Sequence, residues 1–150
     1  MIITKQMLQN WSACDDGIKW FCDHFNENGA EYQEILDKLA DENLSDYATW
    51  LLDKAGAKDT VIELDEINSE NSFFSAGTVK VTGGINVKFH LIAGGGVEAG
   101  LGIKAGWGIT AGEYGVFAGL SVKVAEWNTY AIVSAKNKPA NLISGYFLPK

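Results

Sequence analysis

Two apolar periodicities divide this chain. Up to about residue 56, apolar side chains recur at helical spacing. Met7, Leu8 and Trp11 follow Thr4, a helix-capping residue type. Ser12 with Asp15 predicts a capping-box-like start for a second helix. That helix would present Cys14, Ile18, Phe21, Cys22 and Phe25 on one face and stop at Asn26-Glu27-Asn28-Gly29. A third helix would carry Tyr32, Ile35, Leu36, Leu39 and Ala40 inward. A fourth, capped by Ser45 and closed by Gly56, would bury Tyr47, Ala48, Leu51 and Leu52. Connections this short predict a compact helical bundle over residues 1–58.

From Val61 the period changes to six. Val61, Ile67, Phe73, Val79, Ile85, Leu91, Val97, Ile103 and Ile109 are all apolar, and the pattern resumes one step late at Val116 and Val122. An extra residue around Glu113-Tyr114-Gly115, taken up by a bulge or a widened corner, explains the delay. Two residues after each of these positions the side chain is again restricted: Ser69, Ser75, Val81, Val87, Ala93, Ala99, Ala105, Ala111, Ala118 and Val124, with Glu63 the exception. Residues i and i+2 of a strand share a face, so each repeat sends one large and one small side chain inward. This is the pattern of a β-solenoid, in which short strands stack coil upon coil.

A three-sided coil takes 18 residues, so residues 61–124 would make three to four coils rising roughly 17 Å. On that geometry Phe89 stacks on Trp107 and Lys80 neighbours Glu98. Asn68, Asn86 and Lys104 would line one outer face, and Phe74, Ile92 and Thr110 another. The apolar Phe74–Ile92 stripe needs a cover, either the helices, which are favoured, or a partner. The helices could also close one end of the stack. Tyr130-Ala131-Ile132-Val133 and Asn141-Leu142-Ile143, around the turn Asn137-Lys138-Pro139, predict a capping strand pair at the other. The expected fold is therefore α+β: an acidic helical module (1–58), a hexad-repeat solenoid (59–125) and C-terminal capping strands (126–150).

Composition sharpens this division. Residues 1–70 hold 16 acids and five lysines, a net of −11, while residues 71–150 hold three acids and seven lysines, a net of +4. Thirteen of the 17 glycines lie between Gly77 and Gly119, where they would form the corners. All 12 basic residues are lysine. Arginine, the side chain best suited to bidentate phosphate and guanine contacts, is missing, so direct nucleic-acid binding is not expected. The opening Met1-Ile2-Ile3-Thr4-Lys5 lacks a signal-peptide pattern, and no apolar run is long enough to span a membrane, so a cytoplasmic protein is expected.

Candidate chemistry is sparse. Cys14 and Cys22 lie eight residues apart on one predicted helix, about 12 Å, beyond the ~7 Å a disulfide allows. They read as two small buried apolar side chains in a reducing compartment. No metal or other cofactor is expected. Gly94-Gly95-Gly96 lacks the Lys-Ser/Thr of a phosphate loop. His90 is the one imidazole of the solenoid. It keeps open a third-ranked reading as a hexapeptide acyltransferase-like enzyme, although the small residue here falls two, not four, positions after the aliphatic one. The leading reading is non-catalytic: Asp15, Asp16, Asp23, Glu27, Asp41, Glu42 and Asp46 form a negative surface for a protein partner, such as a basic nucleic-acid-binding protein. The alternative is a structural solenoid that self-associates through the face of Phe74, Ile92 and Thr110 or through an end, giving a homo-oligomer.

Several segments resemble a group of uncharacterised bacterial, phage and prophage proteins. They are Ala13-Cys14-Asp15-Asp16-Gly17-Ile18-Lys19-Trp20-Phe21, Gly29-Ala30-Glu31-Tyr32, Asp46-Tyr47-Ala48-Thr49-Trp50-Leu51-Leu52 and Ile103-Lys104-Ala105-Gly106-Trp107-Gly108. Where such proteins often carry Phe-Pro, this chain has Phe25-Asn26-Glu27-Asn28. The resemblance brings no catalytic residue across. It implies a mobile-element setting, in which small acidic proteins are often inhibitors of host defence, including anti-CRISPR proteins.

Overall fold

A computed structural model describes residues 1–112, 115–119, 122–127, 132–135 and 146–149. The helical module contains β1 (Ile2–Ile3), α1 (Lys5–Asn10), α2 (Asp15–His24), β2 (Ala30–Glu31), α3 (Tyr32–Asp41) and α4 (Ser45–Ala55). β1 and β2 form a small antiparallel ribbon. The Thr4 hydroxyl caps α1 by accepting from the Met7 N–H at 3.3 Å.

The second helix begins later than Ser12 and Asp15 predict. Ser12 adopts a left-handed φ of 63°, and the N–H groups of Ser12 and Ala13 close the end of α1 on the carbonyls of Gln9 and Leu8. That turn makes Cys14 the N-cap, its sulfur accepting from the Gly17 N–H at 3.3 Å. Cys14 is therefore exposed rather than buried; Cys22 is half-buried, and both thiols are free. At α4 the cap is likewise shifted, to Leu44, because Asn43 at φ 58° turns the chain one residue earlier.

The solenoid strands are β3 (Val61–Leu64), β4 (Ile67–Ser69), β5 (Phe73–Ser75), β6 (Thr78–Val81), β7 (Ile85–Val87), β8 (His90–Ala93), β9 (Val97–Ala99), β10 (Ile103–Ala111), β11 (Val116–Ala118), β12 (Val122–Trp127), β13 (Ile132–Ala135) and β14 (Tyr146–Pro149). Their pairing is parallel throughout. One face runs β3-β6-β9-β11-β13-β14. The second stacks β4, β7 and the start of β10; the third stacks β5, β8 and the end of β10. Partners such as Ile67↔Ile85↔Ile103 and Phe74↔Ile92↔Thr110 stand 18 residues apart. Val79, Ile85, Leu91, Val97, Ile103 and Ile109 fill the interior with Val81, Val87, Ala93, Ala99 and Ala105.

The register departs from the sequence pattern at the start of the stack. In the first coil Ile62 faces Val79 and Leu64 faces Val81, an offset of 17. The shift leaves Val61 exposed and sets Glu63 beside Lys80 on the outer surface. Glu63 broke the expected pattern because Ile62 and Leu64 take the register of the inward Val79 and Val81, although Leu64, at the end of the stack, stays 38% exposed. The extra residue later in the chain is visible as Val97↔Val116, an offset of 19; Glu113 and Tyr114 lie outside the described residues. β13 and β14 extend the first face as parallel strands instead of folding into a hairpin. Tyr130, Ala131, the Asn137-Lys138-Pro139 turn and Asn141-Leu142-Ile143 lie outside the described residues.

Phe89 and Trp107 meet edge-to-face at 4.7 Å, and Lys80 and Glu98 are register neighbours. Asn86 Nδ2 donates to Asn68 Oδ1 at 3.0 Å, beside Lys104. The helices lie against the outer side of the third face. Phe74, Ala76 and Ile92 belong to the helical core together with Tyr32, Leu36 and Leu51.

Polar side chains fix this joint. Gln33 donates from Nε2 to the Phe74 carbonyl at 2.8 Å and accepts the Ala76 N–H at 3.0 Å. Asn43 Oδ1 accepts from the Ser72 N–H and hydroxyl at 2.8 and 2.9 Å. These bonds satisfy backbone groups of a strand that lies at the edge of its sheet.

Candidate functional site

The helical module encloses an open cleft of about 330 Å³. Phe21, Ile35, Leu39 and Leu51 form its buried floor. Trp20, Tyr47 and Trp50 are its half-buried walls, and Ser12, Cys14, Gly17 and Asp46 stand at its mouth. Helical spacing explains the assembly. Trp20 and Phe21 sit side by side on α2, one packing inward and one along the rim, while Tyr47, Trp50 and Leu51 share a face of α4. Gly17 keeps the first turn of α2 close to its cap: a Cβ there would touch Cys14 Sγ at 3.4 Å.

The Trp20 wall is held from behind. Its indole N–H donates to Glu42 Oε2 at 2.7 Å. Glu42 also pairs with His24 at 2.9 Å and Lys38 at 3.3 Å. His24 Nδ1 lies 2.8 Å from the Trp20 carbonyl, and its ring lies 4.6 Å from the indole. The indole hydrogen bond is the main reason the Glu42 carboxyl is held below its ordinary pKa; desolvation opposes it, and Lys38 and His24 add smaller lowering contributions. The Tyr47 hydroxyl is pushed upward, first by burial and then by the Cys14 sulfur and the Asp16 carboxylate. Asp16 stands in the first turn of α2, between Cys14 and Gly17, which line the same mouth as Asp46.

The seven acids proposed as a partner surface divide into two groups. Glu27 is paired with Lys5 at 2.6 Å, and Glu42 belongs to the network behind Trp20, so these two are occupied within the chain. Asp15, Asp16, Asp23, Asp41 and Asp46 are exposed, and no ion pair engages them among the described residues. Asp15, Asp16 and Asp46 lie in the first turns of α2 and α4, where negative charge also favours the helix. Asp23 and Asp41 do not line this cleft.

Phe74 and Ile92 are covered by the helices, and Thr110 is half-buried beside a smaller hollow of about 220 Å³ shared with Thr49, Leu52 and Asp53. His90 lies at a solenoid corner, its ring 5.4 Å from Trp107. Among the described residues, no cluster of three or more His, Cys, Asp or Glu side chains could hold a metal ion. None of the described helices is long and apolar enough to cross a membrane.

Sequence reasoning missed the cleft. It assigned Tyr47 to the interior and left Trp20 and Trp50 without a role. Three of the five tryptophans fall within the first 50 residues, at Trp11, Trp20 and Trp50, and this density was the available signal.

Residues 1–59 match the family described as the YdhT N-terminal domain, an uncharacterised bacterial family. The match takes in all of α1 to α4, cleft included, and ends before β3. No curated protein and no solved structure matches the chain.

Proposed function

We propose that this chain is a non-catalytic binding protein whose acidic helical module docks a basic protein partner, with the solenoid as its rigid mount. The observation that carries this reading is the open aromatic cleft, with exposed aspartates at its mouth that no lysine of the described chain neutralises. A protein that handles nucleic acid, with a positive surface shaped for phosphates, is the partner class such carboxylates would meet. An inhibitor of host defence from a mobile element is one protein of this kind.

The test is capture of purified basic nucleic-acid-binding proteins by the intact chain, compared with the triple variant Asp15→Lys, Asp16→Lys and Asp46→Lys. Salt-sensitive capture by the parent, lost on charge reversal, is expected. Capture that survives reversal, or no capture at all, overturns the reading.

A second reading, self-association, has one observation behind it. β3 ends its sheet with a single described partner, and Val61 and Leu64 on it are 57% and 38% exposed. The same coil carries Glu63, Asp65, Glu66 and Glu70, charges that oppose edge pairing. Sedimentation across a concentration series decides this reading, because a strict monomer excludes it.

A further inference from the structure

The cleft is specific enough to define its occupant more narrowly. Its interior is apolar and its volume, about 330 Å³, lies at the small end of ligand-sized cavities. It suits one or two large side chains. Its walls are aromatic faces, which accept aliphatic side chains and also attract cations. Trp20 is fixed by Glu42 before anything binds, so little ordering is required on docking.

Charge at the mouth is the second constraint. The helical module pairs several of its carboxylates internally: Glu27 with Lys5, Glu31 with the N-terminal amine and Lys58, and Glu42 with Lys38. Asp46 at the mouth has no such pair among the described residues, and neither has Asp16, between the lining residues Cys14 and Gly17. An apolar slot bordered by unneutralised carboxylates complements a segment with an apolar face flanked by cationic side chains.

We propose that this cleft receives an amphipathic helical segment of the partner, with an aliphatic or aromatic anchor seated between Trp20, Tyr47 and Trp50 and flanking Lys or Arg side chains facing Asp16 and Asp46. The mode is helix-in-groove recognition. The inference rests on the reading that the helical module is a protein-binding surface, and it names the part of the partner that is bound.

Cys14, exposed at the mouth, supplies the readout. In a Cys22→Ala background the rate of Cys14 alkylation by iodoacetamide reports occupancy of the cleft. The probes are a synthetic Leu/Lys amphipathic helix, the same peptide with Glu in place of Lys, a lysine homopolymer without apolar residues, and a neutral small aromatic, naphthalene methanol. The Leu/Lys peptide is expected to slow alkylation about tenfold at saturation. Its affinity is expected to fall about tenfold between low and physiological salt, and to fall with Asp16→Asn plus Asp46→Asn. Trp50→Ala, or Tyr47→Ala if that variant does not fold, is expected to remove protection.

Equal protection by the Glu peptide, or by the lysine homopolymer, overturns the inference, as does no protection by the Leu/Lys peptide. Protection by naphthalene methanol alone makes the cleft a small-molecule site and equally overturns it. If basic proteins are still captured while the cleft stays unprotected, this inference fails and the binding function stands. If both results are negative, both fail.

Discussion

The two halves of this molecule solve the problem of burying apolar surface in opposite ways. The helical module uses large, dissimilar side chains, each held by its own contacts: Tyr32 donates to the Gly56 carbonyl, Trp20 to Glu42, and Phe21 packs on Phe25 at 5.5 Å. The solenoid uses Val, Ile, Leu and Ala in register, with neighbouring coils separated by backbone contact at the corners. Irregular packing leaves room for a cleft, whereas regular stacking leaves a smooth rod. The candidate site therefore lies in the helices, and the solenoid contributes one covered face.

The strongest way to break this division is at the joint. Phe74 belongs to a solenoid strand but is 1% exposed within the helical core. Phe74→Ala should cost about 3–5 kcal/mol. Calorimetry is expected to split one transition into two as the helices uncouple. A single transition at lower temperature would show that the halves do not unfold independently.

Glycine substitutions compare the halves directly. Gly106 has room for no side chain, because a Cβ would fall on the Lys88 carbonyl oxygen of the coil beneath. Gly56 has nothing near its would-be Cβ, but its φ is +76°. Gly106→Ala should cost about 1–3 kcal/mol through steric overlap, and Gly56→Ala about 1–3 kcal/mol through backbone strain alone, because its φ of 76° and ψ of 164° fall in a region open essentially to glycine. Urea denaturation of the two variants measures both costs; unchanged stability of Gly106→Ala would refute the steric account.

Gln33→Leu tests the polar part of the joint. It would leave the Phe74 carbonyl and the Ala76 N–H without their partner, at a cost of about 1–3 kcal/mol. Gln33→Glu should be milder at low pH, where a protonated carboxyl can donate to the carbonyl. Thermal melts of both variants at two pH values check this.

The smallest expected effects are on titration of the helical module. Burial raises the Tyr32 hydroxyl above its ordinary value of 10.0, with Asp53 adding to the shift. A raised pKa gives stability that is complete below that ordinary value and lost as pH rises past it. Glu42 is lowered from 4.5, so its contribution is present above that value and lost as pH falls below it. The helical circular dichroism signal should weaken at both extremes. Tyr32→Phe should remove the alkaline loss, and Trp20→Phe should reduce the acid loss; unchanged pH profiles would contradict both assignments.

Much of the architecture was legible because it follows from short-range periodicity. The 18-residue stacking of Phe74, Ile92 and Thr110, and of Asn68 and Asn86, needs only the strand alternation and a three-sided coil. The first coil was misread because Val61 and Ile62 are both apolar, and composition alone does not say which one faces in. The start of α2 was misplaced because Ser12 has the chemistry of a cap, while the backbone uses it as the left-handed residue that ends α1. The acids were identified as exposed helix residues, but Glu27 and Glu42 could not be separated from Asp16 and Asp46. That distinction depends on Lys5 and Lys38, and Lys5 is distant in sequence from its partner.

The sequence by itself determined the two periodicities, the charge contrast between the halves and the small side chains facing the solenoid interior. These are properties of neighbouring residues along one strand or helix, so local sterics and burial are enough to specify them. Only the tertiary structure decided that the helices lie on the Phe74–Ile92 face, that Gln33 and Asn43 satisfy the edge of that sheet, and that Trp20, Tyr47 and Trp50 face one another across a cleft. Those contacts join residues from separate elements, and their geometry depends on how whole helices pack.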